Sequence, residues 1–302
     1  MIQITISSHL GFPSVSIHTK YYDMATVPGI GGRILEFGAD GINLLYQNQS
    51  LAGHRPKYVA DNVEEMRSQR MKGQQLLYGG EKTWLAPQAD WGDCPYADLD
   101  HGEYELEIQR SEDTVKLLLT SPVCRETQLQ IIRTITCYGD KPHMDIEQKL
   151  INHGPGPVKK GLWQVTMLNR DGIVEIPDGA TVYADQPVML LNGENASAIH
   201  DAKGWRMEIN NNLLYKLGFM TDAGQTTSRL PATNGKSYTL MKTYCVNPKQ
   251  TYPHNTVVEV YNASDYHYYE LEVHSPVYTL QPGESASYTI RWELQAVQEG
   301  AS

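Results

Sequence analysis

The stretch Tyr268-Tyr269-Glu270-Leu271-Glu272-Val273-His274-Ser275-Pro276 alternates strictly in character. With the period of two of an extended chain, Tyr268, Glu270, Glu272 and His274 point to one side, and Tyr269, Leu271 and Val273 to the other. Two carboxylates and an imidazole then stand in a row on one face of a strand. Two readings of that face compete. It is either the solvated outer side of an edge strand, or it turns toward a shielded hollow. In the second case, crowding and desolvation raise a carboxylate's pKa toward the range a general base needs. Glu259, in Val257-Val258-Glu259-Val260-Tyr261, is a further acid expected on a neighbouring strand.

The same periodicity recurs along the chain. Tyr104, Leu106 and Ile108 alternate with Glu103, Glu105 and Glu107; Val115, Leu117 and Leu119 follow a turn at 111–113. Leu129, Ile131, Ile135 and Cys137 form another apolar face, interrupted by Arg133. Met144, Ile146 and Leu150 form the next, and Ala286, Tyr288, Ile290, Trp292 and Leu294 the clearest. Gly, Pro, Asn or Asp bounds each run, which is the punctuation of antiparallel strands. An arginine on a buried face requires a carboxylate, and a structural ion pair is the expected partner for Arg133. The one helical pattern runs from Lys57 to Gln75, with Val59, Val63 and Met66 at helical spacing; its charges and Gly73 predict a short helix inside a long excursion. The fold expected is all-β, with stacked, mostly antiparallel sheets and few short helices, in a single domain over 1–302.

Composition narrows the function. The net charge of −10 argues against a nucleic-acid partner. No window approaches the roughly 20 apolar residues of a membrane span, and the N-terminal segment lacks signal-peptide character, so a soluble cytoplasmic protein is expected. Four cysteines without C-x-x-C spacing read as reduced thiols. Nineteen tyrosines against three phenylalanines favour surfaces that combine an apolar face with a polar handle, either as good strand formers or as contacts for sugar-like ligands. The ten histidines show no H-x-H or H-E-x-x-H pattern, and no nucleotide fingerprint appears, so neither metal nor cofactor is expected.

A second candidate region is Tyr78-Gly79-Gly80-Glu81-Lys82-Thr83-Trp84, followed by the breaker-rich 86–95 loop with Trp91. The glycines let backbone approach closely, Lys82 can reach an anionic or polyhydroxylated ligand, and Trp84 or Trp91 can stack on a ring. The competing reading is a turn followed by core tryptophans. Arg125 is a candidate substrate clamp. Trp163 and Gln164 lie on opposite faces of one strand, so at most one of them faces the same cavity; Gln164 is kept as a substrate-binding candidate.

Several of these blocks resemble the galactose-mutarotase-like superfamily. Gly31-Gly32-Arg33-Ile34-Leu35-Glu36-Phe37-Gly38 with Asp40-Gly41-Ile42-Asn43-Leu44-Leu45 looks like its opening hairpin. Tyr78 to Gln88 with Trp91, Ser121-Pro122, Asn152, Trp163-Gln164-Val165-Thr166 and Leu280-Gln281-Pro282-Gly283-Glu284-Ser285 resemble its DUF4380 branch. The resemblance implies a β supersandwich and an acid–base enzyme acting on a sugar. In the epimerases of that superfamily a histidine is the acid, a late-strand glutamate the base, and an arginine holds the sugar. Glu270 or Glu272 matches the late glutamate; His101 and His153 lie in the middle region, outside the family's histidine setting. The expectation is an aldose-epimerase-type isomerase with Glu270, Glu272 and His274 as catalytic candidates and Lys82, Trp84, Trp91, Arg125 and Gln164 as substrate contacts. The alternatives are a lyase or other acid–base enzyme, with Tyr268 as proton carrier, and a non-catalytic sugar-binding protein. A homodimer is a further expectation.

Overall fold

The computed structural model describes residues 2–55, 63–72, 75–92, 94–181, 187–191, 198–209, 213–231, 235–262 and 267–298. Its strands form one sheet of twelve and one of ten. The centre of the larger sheet runs, in spatial order, Glu81–Ala86, Val158–Asn169, Tyr268–His274, Val258–Asn262, Tyr215–Phe219, all antiparallel. The late strand singled out above is therefore central, hydrogen-bonded on both edges, and all seven of its residues are buried. The edge-strand reading of its acidic face is excluded.

The sheets pack face to face. Phe37 of the larger sheet meets Trp292 of the smaller at 5.2 Å between ring centroids, and the alternating apolar residues of Leu129–Tyr138, His143–Asn152 and Ser285–Gln298 enter one core. Polar groups cross this interface too. Trp292 Nε1 donates to Gln164 Oε1 at 3.1 Å, Thr83 Oγ1 to Gln148 Oε1 at 2.8 Å, and Lys242 Nζ to Thr166 Oγ1 at 2.7 Å. These hydrogen bonds offset part of the cost of burying the groups, although Gln148 Nε2 and Gln164 Nε2 have no partner among the described residues.

Arg133 finds its carboxylate in Glu81, the third residue after Tyr78, and also donates to the Gly32 carbonyl. Both side chains are fully buried. The pair fastens the start of the Glu81–Ala86 strand to the smaller sheet. Gly79 and Gly80, at φ +96° and +71°, make that entry possible: a Cβ on either would sit 2.1–2.2 Å from the carbonyl oxygens of Tyr46 and Ile34. No other residue type adopts that conformation at such close approach.

Two short α-helices occur among the described residues, Val63–Lys72 and Ala97–Asp100. The first lies within the expected helical stretch; 56–62 and 73–74 are outside the described residues. It is tied down by buried Arg70, whose guanidinium pairs with Glu126 at 2.8 and 2.9 Å and donates to the Trp91 carbonyl at 2.9 Å. No helix among the described residues is long and apolar enough to cross a membrane.

Glu81→Gln leaves the buried Arg133 guanidinium without a counter-charge and is expected to cost roughly 3–5 kcal/mol of unfolding free energy. Urea denaturation measures it; a loss below about 1 kcal/mol contradicts the anchoring role.

Candidate active site

Register decides which side chains meet on the face turned away from the smaller sheet. Trp163 lies opposite Trp84 on one side and His274 on the other; Val165 lies opposite Lys82 and Glu272, and Met167 opposite Glu270. One strand further, Glu259 is opposite Glu272 and Tyr261 opposite Glu270, and Lys216 is opposite Tyr261. Three glutamates, two lysines and two tryptophans therefore occupy adjacent positions on five strands. On this face a cavity of about 320 Å³ is lined by Trp84, Trp163, Lys216, Tyr261, Tyr268 and Glu270, with Gln75, Leu77, Gln88, Leu190 and Leu191 completing the wall.

Two lysines serve the three carboxylates. Lys82 Nζ lies 3.8 Å from Glu270 Oε1 and 3.9 Å from the centroid of the Trp84 ring. Burial pulls the Lys82 ammonium down from 10.5 to about 8, against the opposing pull of Glu270. Lys216 bridges the other two acids, 2.8 Å from Glu259 Oε2 and 2.9 Å from Glu272 Oε2, with its ammonium 4.5 Å from the Trp163 ring centroid. Burial alone would lower its pKa, but the two glutamates raise it. Trp163 Nε1 donates to Glu272 Oε2 at 2.8 Å. Burial, with Glu259 and Glu270 close by, pushes the Glu272 carboxyl well above its ordinary range. Glu259 goes the other way. Burial opposes its ionisation, yet His274, Lys216 and His254 hold it well below the usual range.

Trp84 is fixed from behind. Its Nε1 donates to Asp100 Oδ1 at 2.6 Å, and Arg33 donates to the same oxygen at 2.7 Å. Burial would raise the Asp100 carboxyl, but Arg33 and His101 beside it hold it well below the usual range.

The sequence candidates separate into groups. Glu270, Trp84 and, through the Glu270 pair, Lys82 belong to the cavity. Glu272 and His274 share the face but do not line the cavity; both are 0% exposed, with the Trp163 indole bonded to the former and packed 5.1 Å from the latter. Trp91 backs the floor rather than facing a ligand: its ring packs 5.4 Å from Trp84 and 6.2 Å from Trp163, and its Nε1 donates to the Leu85 carbonyl. Gln164 points into the sandwich, bonded to Trp292, and Trp163 takes the cavity side. Arg125 is elsewhere, forked onto Asp98 at 2.7 and 3.1 Å. His101 is buried beside Asp100 and His153 is bonded to Gln130, so neither lines the cavity.

Lys216, Tyr261 and His254 were not found from the sequence. Lys216 carried a signal: a lysine inside the apolar run Leu213-Leu214-Tyr215-Lys216-Leu217-Gly218-Phe219 needs a buried partner if the run is a strand. Which carboxylates supply that partner depends on strand order, which periodicity does not contain.

No family model matches the chain, and no curated protein is similar in sequence. Solved structures do share the fold. A galactose mutarotase-like protein from Clostridium acetobutylicum superposes with TM-score 0.58 at 10% identity, over 97% of this chain and 98% of its own. A galactose 1-epimerase from Lactobacillus acidophilus NCFM gives 0.55 at 9% identity, over 99% of both chains. A TPR-domain containing protein from Parabacteroides distasonis ATCC 8503 gives 0.61 at 10% identity, over 94% of this chain and 47% of its own; this chain spans about half the length of that protein. The architecture is a galactose mutarotase-like β-sandwich, as the sequence resemblance implies.

The Lys82 shift has a measurable consequence. Between about 8 and 10.5 the unfolded chain holds this proton while the folded chain has released it, so stability rises with pH in that window. Lys82→Met removes this contribution. Urea midpoints at about pH 8 and about pH 9.5 are expected to rise less in the variant than in the parent protein; equal rises contradict the assignment.

Proposed function

We propose that the protein is an acid–base enzyme of the aldose-epimerase type, acting on a small sugar in the cavity over Trp84 and Trp163. The observation that carries this reading is the Glu270–Lys82 pair, with Glu270 on the cavity wall and its lysine sealed behind it. Glu270 takes the proton of the anomeric hydroxyl, and Lys82, poised near neutrality by burial, compensates the charge change on its partner. The ring oxygen needs a positive or proton-donating group as its bond to the anomeric carbon breaks. Among the described residues no histidine lines the cavity, and Lys216 and Tyr268 do. Lys216 is the electrophile in this reading, because two glutamates keep its ammonium charged. Glu272 and His274 then act from beneath, holding Lys216 and Trp163 in place.

The cavity size supports a mono- or disaccharide over a polymer: about 320 Å³ is at the small end of the roughly 300–1,000 Å³ of ligand pockets. Aromatic faces over a carboxylate and an ammonium suit the mixed apolar and hydroxylated surface of a sugar ring. The Gly79-Gly80-Glu81-Lys82-Thr83-Trp84 block, which contributes both the lysine and a stacking ring, supports placing the chain in the DUF4380 branch. A second reading, a sugar lyase with Tyr268 as proton carrier, is favoured by the presence of Tyr268 on the same wall.

Proton-exchange NMR on a panel of aldoses is expected to show enzyme-dependent anomeric interconversion, and Glu270→Gln to lower kcat by about 10²–10⁴ in a protein that circular dichroism shows to be folded. Absence of interconversion across the panel, or a fully active Glu270→Gln protein, overturns the epimerase reading. Absorbance from unsaturated products in the same incubations would turn the assignment to the lyase.

A further inference from the structure

We propose that His254, Glu259 and His274 form a binding site for one divalent transition-metal ion, separate from the cavity. These three residues come from the turn Pro253–Asn255, the strand Val258–Asn262 and the strand Tyr268–His274. Each presents one ligand atom, and the three atoms lie within 4.8 Å of one another. His254 Nδ1 is 2.7 Å and His274 Nε2 is 3.0 Å from the same carboxylate oxygen, Glu259 Oε1. Metal bonds of about 2.0–2.2 Å to nitrogen and oxygen place neighbouring ligand atoms slightly farther apart than this. Small side-chain rotations make the difference.

His274 supplies the observation that distinguishes a ligand site from an ordinary polar cluster. It is fully buried, yet among the described residues neither of its ring nitrogens has a hydrogen-bond partner. Its Nε2 is close to Glu259 Oε1 without the alignment of an N–H···O bond. A buried imidazole left so is costly unless its nitrogen has another use; a nitrogen and a carboxylate oxygen 3.0 Å apart without a hydrogen bond between them can share a cation.

The surroundings suit that use. Glu259 Oε2 is taken by Lys216 at 2.8 Å, and Thr256 Oγ1 donates to Oε1 at 2.7 Å, so the carboxylate is oriented by outer partners as metal-bound carboxylates are. His254 reaches the cluster from a left-handed backbone at φ +54°, followed by Asn255 at +60°, an uncommon conformation retained where it aims a side chain. Its side chain is 21% exposed, against 0% for the other two, so an ion arrives from the turn side. The Trp163 ring, 5.1 and 5.6 Å from the two imidazoles, stands between them and the cavity. Two imidazoles and one carboxylate favour Zn²⁺, Co²⁺ or Ni²⁺ over the oxygen-seeking Mg²⁺ and Ca²⁺.

The test uses the full chain after chelator treatment. Titration with Zn²⁺ alone by calorimetry, and with Co²⁺ alone by visible absorption, is expected to show one ion per chain. His254→Asn, which tolerates the left-handed backbone, is expected to weaken binding by more than about 100-fold. His200→Ala, at an exposed histidine paired with Asp178, is expected to leave it unchanged. Histidine-ring NMR needs no variant: Zn²⁺ should shift two of the ten imidazoles. No saturable binding at one equivalent, equal affinity in His254→Asn, or shifts spread over exposed histidines overturns the site. Glu270 and Lys82 take no part in it, so these results are independent of the epimerase assay.

Discussion

A strand bearing two glutamates and a histidine is held in the middle of a twelve-stranded sheet, buried along its whole length. Burying one isolated carboxylate costs several kcal/mol; the cost of burying Glu270 and Glu272 with Glu259 on the next strand is met by cations that arrive by register and, at Glu272, by a carboxyl pushed toward its neutral form. Lys82 comes from two strands away on one side and Lys216 from two strands away on the other. The strand order of the larger sheet is thus a condition for its charge balance. A one-residue slip of either lysine strand would turn its ammonium to the opposite face and leave a buried carboxylate unpaired.

The same requirement explains why the tryptophans are there. Trp84 and Trp163 each lie beneath an ammonium, at 3.9 and 4.5 Å from ring centroid to Nζ, and each donates its indole N–H to a buried carboxylate. An indole serves both signs of charge: its face attracts the cation and its N–H the anion. Each indole thereby gives the charged layer a cation contact and a hydrogen bond at once. What remains open is the Glu270 side, where the cavity reaches the layer.

Much of this was legible in the sequence. Period-two alternation marked the strands, the polar parity of Tyr268 to His274 was correct, and Arg133 on an apolar face announced its need for a carboxylate, met by Glu81. The limits were physical. Alternation states which residues share a face but not what covers it, so Trp163 and Gln164 could be put on opposite sides without knowing which side held the cavity. Arg125 looked like a clamp because Asp98, its partner, is 27 positions away and reaches it only through the short Ala97–Asp100 helix. Trp91 sits in a loop rich in breakers, a setting that suggests a ligand contact; tertiary packing puts it against the Trp84 and Trp163 indoles instead.

Sharing a face is also not sharing a site. Along Tyr268–His274 the side chains of one parity sit about 7 Å apart, enough for successive residues to enter different environments. Glu270 meets the cavity, Glu272 lies under Trp163, and His274 lies beyond that indole among Glu259 and His254. Trp163 is the partition. Its indole bonds to Glu272 and packs against both imidazoles while one side of it lines the cavity. Lys216 also joins the two regions: its ammonium touches Glu259 and Glu272 and itself reaches the cavity wall. A change of charge in the histidine cluster alters how firmly Glu259 holds Lys216. That ammonium and the Trp163 ring are the two groups that touch both the histidine cluster and the cavity.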